Sequence, residues 1–416
     1  MKKSINVVLL VCLLVLLFCG CERERSQADR NKDVKVQTPP PTVKVEQYRD
    51  FSFDIEDRNA YPCMHVDQEK NIVDFSGVET AEVLYIDYSN MAYHFLAESR
   101  EEIESLHVGI QTDGLNHCEK LKLLILDDEW GENYIIDTVP VRTMKQNGIV
   151  VCCYPDSPLW DQLSDQGVAC VSIESVDLEG LKQKSPPLFV MEGSTLVASS
   201  EAGTFEKYFK DKRLRLPEDI RKIGANVFMH TNSYQSVEFP ESLEKIDNYA
   251  FYCSNIKQVR FLGSKLKRIE DFAFCGCGKI TNISLPEGLE YIGKHAFTDT
   301  KIRKIKIPGS VKTIEQLAFS CFTLSELSLS EGLEYIGENA FVSTKIQKIK
   351  IPKSVKKIDS RAFYACKKLS ELSLSDGIEY IGMEAFSDTA VRTVKIPKSV
   401  KKIEKNAFDK KVKLVK

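Results

Sequence analysis

The sequence predicts a solenoid of stacked β-coils over its second half, and two observations lead to this fold class. An isoleucine is followed five residues later by a phenylalanine nine times, at intervals of 22 or 23 residues. Most of these phenylalanines precede the spacing apolar-x-x-apolar-x-apolar. A period this regular indicates that each coil buries its apolar face only on its neighbours. The pairs are Ile223/Phe228, Ile246/Phe251, Ile269/Phe274, Ile292/Phe297, Ile314/Phe319, Ile336/Phe341, Ile358/Phe363, Ile381/Phe386 and Ile403/Phe408.

The second spacing predicts one β-strand in each coil. In Ile302/Ile305/Ile307 and Leu324/Leu327/Leu329, a polar residue separates the last two apolar ones, which is the period of a strand with one buried face. Stacked coils place these strands side by side in a parallel sheet. A residue that ends pairing follows most strands, because proline has no N–H to donate. These residues are Pro240, Pro286, Pro308, Pro352, Pro397, Ser330 and Ser375.

Alternate coils are more alike than neighbouring coils. The stretch "EGLEYIGKHAFTDTKIRKIKIPGSVKTI" at residues 287–314 returns with few changes at residues 331–358 and 376–403. The repeating unit near the C-terminus is therefore a block of two coils, 44 or 45 residues long.

These motifs resemble a known family. The pattern I-x-x-x-A-F-x-x-C-x-x-L, combined with L-x-x-L-x-L, is similar to the bacterial leucine-rich repeats of BspA-like proteins and treponemal leucine-rich-repeat surface lipoproteins. It covers residues 213–416 in nine repeats. The resemblance implies a right-handed superhelix with a parallel sheet on its concave face. It also implies attachment to host matrix, host cells or other bacteria.

The N-terminus reads as a targeting segment followed by a linker. Residues 1–21 are predicted to be a lipoprotein signal peptide, because two lysines precede an apolar run too short to be a convincing membrane-spanning helix. Cys21 follows Gly20 in a sequence that resembles a lipoprotein box, so Cys21 is the predicted lipidation site; an ordinary secretory signal is the alternative. Residues 22–50 are charged, contain three consecutive prolines and are predicted to be a disordered tether.

Residues 51–212 lack the regular Ile/Phe period. The stretch Leu115-x-x-Cys118-x-Lys120-Leu121-x-x-Leu124-x-Leu126 nevertheless reproduces residues 363–374 position by position. We therefore expect irregular leucine-rich coils with an N-terminal cap, and the competing interpretation is a separate small α/β domain. On the first interpretation, insertions such as residues 127–141 are loops on the side of the solenoid.

Charges alternate along the predicted strands. Residues 301–416 contain 24 Lys/Arg and 13 Asp/Glu, whereas the whole chain has a net charge of −3. One outward position carries opposite charges on successive coils, which stabilises neighbouring strands and is a purely structural explanation. The next outward position carries cations separated by serines and no acidic residue. The candidate binding face comprises Arg260, Lys304, Lys306, Glu326, Lys348, Lys350, Glu371 and Lys395.

The partners expected for this face are acidic protein surfaces or sulfated glycans. Nucleic acid is a poor candidate, because the mature protein is exported and the face lacks interleaved aromatic residues. The expected contact with a membrane is through the lipid anchor alone.

No enzyme motif stands out, and we expect no catalytic residue, cofactor or metal site. The chain has no G-x-S-x-G, H-E-x-x-H, phosphate-binding loop or C-x-x-C sequence. Two pairs are candidates for a nucleophilic site, Cys63 with His65 and Cys118 with His117; a packed cysteine beside a surface histidine is the simpler interpretation. Five further cysteines are predicted to be small packing residues, with a disulfide from Cys253 to Cys275 or Cys277 left open: Cys253, Cys275, Cys277, Cys321 and Cys366.

The sequence thus predicts a lipid-anchored protein of the bacterial cell envelope, at the outer membrane or cell surface. Its predicted role is protein or glycan binding, and adhesion in particular. The alternative is a periplasmic scaffold without an adhesive role, and an enzyme within residues 51–212 is the third interpretation.

Overall fold

A computed structural model describes most of the chain from residue 41 onward. The signal peptide, the lipidation site Cys21, residues 22–40 of the predicted tether and His117 lie outside the described residues. Within the described ranges, no helix combines the length and hydropathy needed to cross a bilayer. The ranges are 41–50, 52, 57–66, 72–87, 109–110, 115, 118–127, 135–136, 138–155, 157–186, 188–199 and 210–415.

The described residues of the N-terminal half form ten strands and three α-helices. Three short 3-10 helices accompany them, at Val45–Gln47, Arg58–Ala60 and Ile173–Ser175. The strands and helices are β1 (Cys63–Val66), β2 (Ile72–Ser76), β3 (Val83–Asp87), β4 (Gly109–Ile110), β5 (Leu123–Asp127), β6 (Ile135–Ile136), α1 (Thr138–Asn147), β7 (Val150–Cys153), α2 (Pro158–Asp165), β8 (Ala169–Ser172), α3 (Leu178–Lys182), β9 (Phe189–Glu192) and β10 (Thr195–Ser199).

These strands form two parallel ladders. β3, β5, β7 and β8 pair in chain order, and β2, β4 and β6 pair in a second ladder. Parallel strands stacked in chain order are a feature of coils, whereas α1 and α2 between strands are a feature of an α/β domain. Residues 127–141 were predicted to be a loop. The structure differs from this prediction, because the range contains β6 and the start of α1.

The predicted tether ends earlier than residue 50, and this boundary is corrected. Tyr48 is 5% exposed and packs in one cluster with Val83 and Tyr85. The backbone N–H of Arg49 donates to Glu82 Oε2 at 2.9 Å, and its guanidinium donates to Oε1 at 2.8 Å. These bonds, with one from Lys122, lower the pKa of Glu82 to about 2. Apolar residues at 43, 45 and 48 supply the packing energy that a solvated linker lacks.

The C-terminal coils form two sets of strands; residues 280–285 contribute only an isolated bridge, from Asn282 to Lys304. The short strands end at the repeat isoleucine: β12 (Lys222–Ile223), β14 (Lys245–Ile246), β16 (Arg268–Ile269), β17 (Tyr291–Ile292), β19 (Thr313–Ile314), β21 (Tyr335–Ile336), β23 (Lys357–Ile358), β25 (Tyr380–Ile381) and β27 (Lys402–Ile403). The other strands follow the L-x-x-L-x-L spacing: β11 (Arg213–Arg215), β13 (Ser236–Phe239), β15 (Gln258–Phe261), β18 (Lys304–Ile307), β20 (Glu326–Leu329), β22 (Lys348–Ile351), β24 (Glu371–Leu374), β26 (Thr393–Lys395) and β28 (Lys413–Val415).

The short strands belong to one continuous sheet of 15 strands that joins the two halves. β1 pairs with β2 in an antiparallel hairpin, β9 pairs parallel to β1, and β10 pairs parallel to β12. The sheet therefore extends from β1 and β9 in two directions: through β2, β4 and β6 on one side, and through β10 and the C-terminal coils on the other.

The core of the C-terminal half confirms the predicted solenoid. The repeat isoleucines from Ile223 to Ile381 are fully buried, and the repeat phenylalanines stack ring on ring from coil to coil. Phe319 and Phe341, for example, have ring centroids 5.5 Å apart and planes inclined by 2°. Such stacking adds to the gain from burying apolar area.

Four of the five repeat cysteines are buried, as predicted, and three of these also donate hydrogen bonds. Cys277 Sγ donates to Phe251 O and Cys321 Sγ donates to Phe297 O, both at 3.0 Å; Cys366 Sγ donates to Phe341 O at 3.2 Å. Serine or threonine takes the same position in the alternate coils. Each described cysteine is a free thiol, so the disulfide left open for Cys253 is not formed.

Candidate functional site

The predicted binding face consists of the outward side chains of β15, β18, β20, β22, β24 and β26. Side chains alternate along these strands, so one set points into the core and the other points outward. The predicted cations and acids all belong to the exposed set: Arg260, Lys304, Lys306, Glu326, Lys348, Lys350, Glu371 and Lys395.

Opposite charges face each other across the paired strands. The register of β18 and β20 places Lys304 opposite Glu326, and their Nζ and Oε2 atoms are 2.8 Å apart. This contact raises the pKa of Lys304. β22 and β24 place Lys348 opposite Glu371 in the same way, but these two side chains form no ion pair. Lys304 and Glu326 thus form an ion pair with each other, whereas Lys348 and Glu371 do not.

The second outward position was expected to carry cations and no acidic residue, but two of its cations form ion pairs. Arg260 pairs with Glu238 at 3.1 Å, and Lys306 pairs with Glu287 at 3.2 Å. Glu238 lies one strand earlier in the same ladder, and Glu287 follows the preceding coil's strand segment. Lys350 and Lys395 form no ion pair with any residue that the structure describes. The cations without an ion pair to a described residue therefore lie toward the C-terminal end of the face.

The ladder on this face is divided, although a continuous sheet was expected. β11, β13 and β15 form one ladder, and the remaining strands form the pairs β18/β20, β22/β24 and β26/β28. No ladder joins β20 to β22 or β24 to β26. We call the first of these gaps the seam, and it lies between residues 326–329 and 348–351.

The seam leaves leucines half-buried and creates a groove. Leu327 and Leu329 of β20 are half-buried, whereas Ile305 and Ile307 at the same positions of β18 are at most 2% exposed. The groove has a volume of about 680 Å³. Its lining is Leu327, Ser328, Leu329, Lys348, Ile349, Lys350, Ser370, Glu371, Leu372, Ser373 and Thr393.

Proline contributes to the opening of the seam. Leu262, directly after β15, donates its N–H to Phe239 O of the preceding coil at 3.1 Å. Pro352 holds the equivalent place after β22, and it has no N–H to donate to β20. The missing donor removes one hydrogen bond that would draw the two strands together. Pro240 holds the same place after β13, which nevertheless pairs with β11, so proline does not decide by itself where the ladder divides.

The cysteine–histidine pairs considered from the sequence do not form activated thiols. Burial raises the pKa of Cys63 and of Cys118 to about 12, so both thiols are protonated at neutral pH and are poor nucleophiles. His65 Nε2 lies 3.1 Å from Ser76 Oγ. Among the residues that the structure describes, no three His, Cys, Asp or Glu side chains are grouped to hold a metal ion.

Comparison with protein families gives one match. The profile described as BspA type leucine rich repeat region matches residues 200–322 and 300–415, with six copies of the repeat. Together these ranges extend from residue 200 to residue 415, more than half of the chain. None of the curated proteins matches the sequence at a significant level.

Solved structures with a similar fold come from several bacteria. A leucine-rich repeat protein from Bacteroides ovatus is 24% identical, with a TM-score of 0.46, over 55% of this chain and 64% of that protein. The leucine rich repeat protein of T. pallidum is 22% identical, with a TM-score of 0.32, over 42% and 75%. A leucine rich cell surface protein from Faecalibacterium prausnitzii is 20% identical, with a TM-score of 0.26, over 48% and 70%. The chain thus spans less than two thirds of the B. ovatus protein.

Proposed function

Because the chain belongs to the BspA-type leucine-rich-repeat family, we propose that it is a binding protein whose groove at the seam takes an acidic protein segment or an acidic glycan. One observation carries the proposal: Lys348 and Lys350 line a groove that contains leucines, and they have no ion-pair partner among the described residues. On β18, two coils earlier, Lys304 and Lys306 are by contrast both paired within the chain.

The groove combines an apolar floor with a charged rim. Leu327, Leu329 and Leu372 offer apolar area, and the gap between β20 and β22 leaves backbone groups without a partner strand. Its volume lies in the range of about 300–1,000 Å³ that is usual for ligand sites. An anionic group that reaches Lys348 or Lys350 would gain an ion pair without breaking an existing one. A narrow, extended ligand fits this shape better than a compact one.

The proposed setting is the cell surface, with the solenoid lipid-anchored through Cys21. The partner would then belong to host matrix, a host cell or another bacterium, and the activity would be adhesion. The signal-like residues 1–21 support export. The family relationship supports a binding surface, since solenoids of this kind offer extended faces to partners.

Replacing both groove lysines, as Lys348→Ser with Lys350→Ser, is expected to weaken binding of a sulfated heparin octasaccharide roughly tenfold, because two contacts of about 0.5–1 kcal/mol each are lost. The dependence of affinity on salt should also become shallower, since fewer charges take part. Isothermal titration at several salt concentrations measures both effects.

The matched control is Lys405→Ser with Lys410→Ser, which removes the same charge from exposed lysines outside the groove. This variant should bind as the wild type does. Equal losses in both variants would show that net charge governs binding, and no loss in either would place the binding site elsewhere. An Asp/Glu-rich peptide, titrated in parallel, decides between glycan and protein as the acidic partner.

Location separates adhesion from the alternative of a periplasmic scaffold. Protease added to intact cells is expected to remove the solenoid while a periplasmic protein of the same cells survives. Protection of the solenoid until the outer membrane is breached would contradict adhesion and favour a scaffold inside the envelope.

A further inference from the structure

A left-handed backbone position recurs in every C-terminal coil, three residues after the repeat isoleucine. Its φ lies between 54° and 62° throughout. Asparagine suits this conformation best among residues with a side chain, and bulky residues adopt it at a cost. The position is occupied in turn by Asn226, Tyr249, Phe272, His295, Leu317, Asn339, Arg361, Glu384 and Asn406.

Three consecutive coils place aromatic residues there. Tyr249 and Phe272 stack with ring centroids 4.7 Å apart and planes inclined by 3°; Phe272 and His295 stack at 4.5 Å and 9°. We call these three residues the aromatic column. Unlike the buried repeat phenylalanines, the column lies at the surface, and Tyr249 is 37% exposed.

Two more rings extend this surface. Tyr252 meets Tyr249 edge to face at 5.6 Å, and His230 meets Tyr252 in the same manner at 5.6 Å. Among the described residues, no ring stacks on the face of Tyr249 that points away from Phe272, because the preceding coil carries Asn226 at that position. Tyr249 and Tyr252 therefore form a corner of two rings that opens to solvent.

Folding alone does not account for these residues. Asn226, Asn339 and Asn406 show that a residue suited to the left-handed conformation serves at this position, and the buried phenylalanines already stack the same coils. Ring stacking offsets part of the backbone strain. The column nevertheless ends abruptly at both sides, at Asn226 and Leu317, so it is a local feature of three coils.

Negatively charged side chains lie near the aromatic column. Asp271 and Asp299 form no ion pair with any residue that the structure describes. Burial and the Asp271 carboxylate raise the pKa of Tyr249. Burial lowers the pKa of His295, so that ring is neutral at neutral pH.

Elsewhere the chain places its own cations over aromatic rings. Arg268 lies 3.9 Å from the ring centre of Tyr291, and Lys357 lies 5.2 Å from that of Tyr335. In the described part of the chain, no cation lies over Tyr249 or Tyr252. The rings and the two carboxylates thus form the kind of environment that attracts a cation, but none is supplied internally.

We propose that the aromatic column, together with Tyr252, Asp271 and Asp299, is a second interaction surface that binds a cationic segment of a partner protein. One arginine side chain of the segment lies over the open face of Tyr249, and its other cations pair with Asp271 and Asp299. This surface has the opposite charge preference to the groove at the seam, so its partner is a different one.

Binding of an arginine peptide to the full chain tests the proposal. The probe is a Gly/Ser peptide with three arginines, compared by fluorescence anisotropy with the same peptide carrying citrulline, which has a similar shape but no charge. We expect the arginine peptide to bind at least about tenfold more tightly. Equal binding of the two peptides would overturn the proposal.

Variants then locate the site. Tyr249→Asn and Phe272→Asn introduce the residue that other coils use at this position, so both variants should fold, and each should weaken peptide binding about tenfold. Leu317→Asn, at the same repeat position but outside the aromatic column, should leave peptide binding unchanged. Wild-type affinity in Tyr249→Asn and Phe272→Asn would overturn the proposal. The proposal would also be overturned if cellohexaose, a neutral glycan, bound at this surface and the arginine peptide did not.

Lys348→Ser with Lys350→Ser should leave binding of the arginine peptide unchanged. This result separates the two surfaces, because loss of octasaccharide binding with retained peptide binding assigns each ligand to its own site. Loss of peptide binding in the lysine variant would show that the peptide does not occupy the aromatic surface.

Discussion

Phe341→Ala is expected to lower the free energy of unfolding by about 3–5 kcal/mol, the usual loss for a large aromatic side chain in a core. Phe341 is 0% exposed. Its ring stacks between Phe319 at 5.5 Å and Phe363 at 5.2 Å. Truncation therefore leaves a cavity in mid-solenoid and removes two ring contacts together. Urea denaturation followed by far-UV circular dichroism measures the change.

Phe322→Ala is the matched control for this effect. Phe322 is 57% exposed and belongs to the same region of the solenoid. Its removal should change the free energy of unfolding by less than about 0.5 kcal/mol, as is usual for surface substitutions. A loss below about 1 kcal/mol for Phe341→Ala would contradict the packed phenylalanine stack.

Gly377→Ala is expected to destabilise the chain by about 2–5 kcal/mol, the sum of a backbone strain and an overpacking cost. Gly377 has a φ of +131°, which residues with a side chain rarely adopt. A Cβ atom there would overlap the carbonyl oxygen of Lys353 and approach its carbonyl carbon to 2.9 Å. Backbone atoms cannot move aside as a flexible side chain can. Thermal unfolding of the purified variant measures the loss.

Gly278→Ala provides the comparison for the glycine prediction. The nearest atoms to a Cβ at Gly278 are 3.9 Å away, and its backbone is not in the positive-φ region. We expect the stability to be unchanged or slightly increased, because alanine restricts the unfolded chain. Equal stability of Gly377→Ala and the wild type would show that the turn after β24 adopts another conformation.

The C-terminal fold could be predicted because its sequence repeats. The Ile/Phe period defines which side chains enter the core, and each coil must stack on the next to bury them. The sequence therefore predicts the Lys304/Glu326 pairing on neighbouring strands. The division of the outer ladder into strand pairs was not predicted, because the residue after a strand does not determine it: Pro240 follows β13, and β13 still pairs with β11.

The N-terminal half was harder to predict for a different reason. β1 and β9 pair although well over a hundred residues separate them, and no local pattern indicates such a partner. The order of the long sheet, which extends in both directions from this pair, depends on that contact. The packing of Tyr48 could not be predicted either, because an apolar residue in a charged segment indicates burial only when its neighbours in the fold are known.

The charged side chains of the candidate face and the Lys304/Glu326 pair could be predicted, but the ion pairs of Arg260 and Lys306 could not. Alternation along the strands placed Lys306 and Lys350 outward. Glu238, the partner of Arg260, holds the same position one coil earlier, before the first coil that was compared. Glu287, the partner of Lys306, comes from another position of the repeat. Half-buried leucines such as Leu327 were expected to be core residues, because their exposure depends on the seam.

Hydrogen–deuterium exchange of the full chain, with and without the sulfated octasaccharide, tests the central claim most directly. Amides of β20 that face the seam lack a partner strand and should exchange readily in the free protein. Bound octasaccharide should slow exchange in residues 326–329, 348–351 and 371–374, and leave residues 213–239 unchanged. No protection in these three strands, or protection confined to the N-terminal half, would contradict the assignment of binding to the groove.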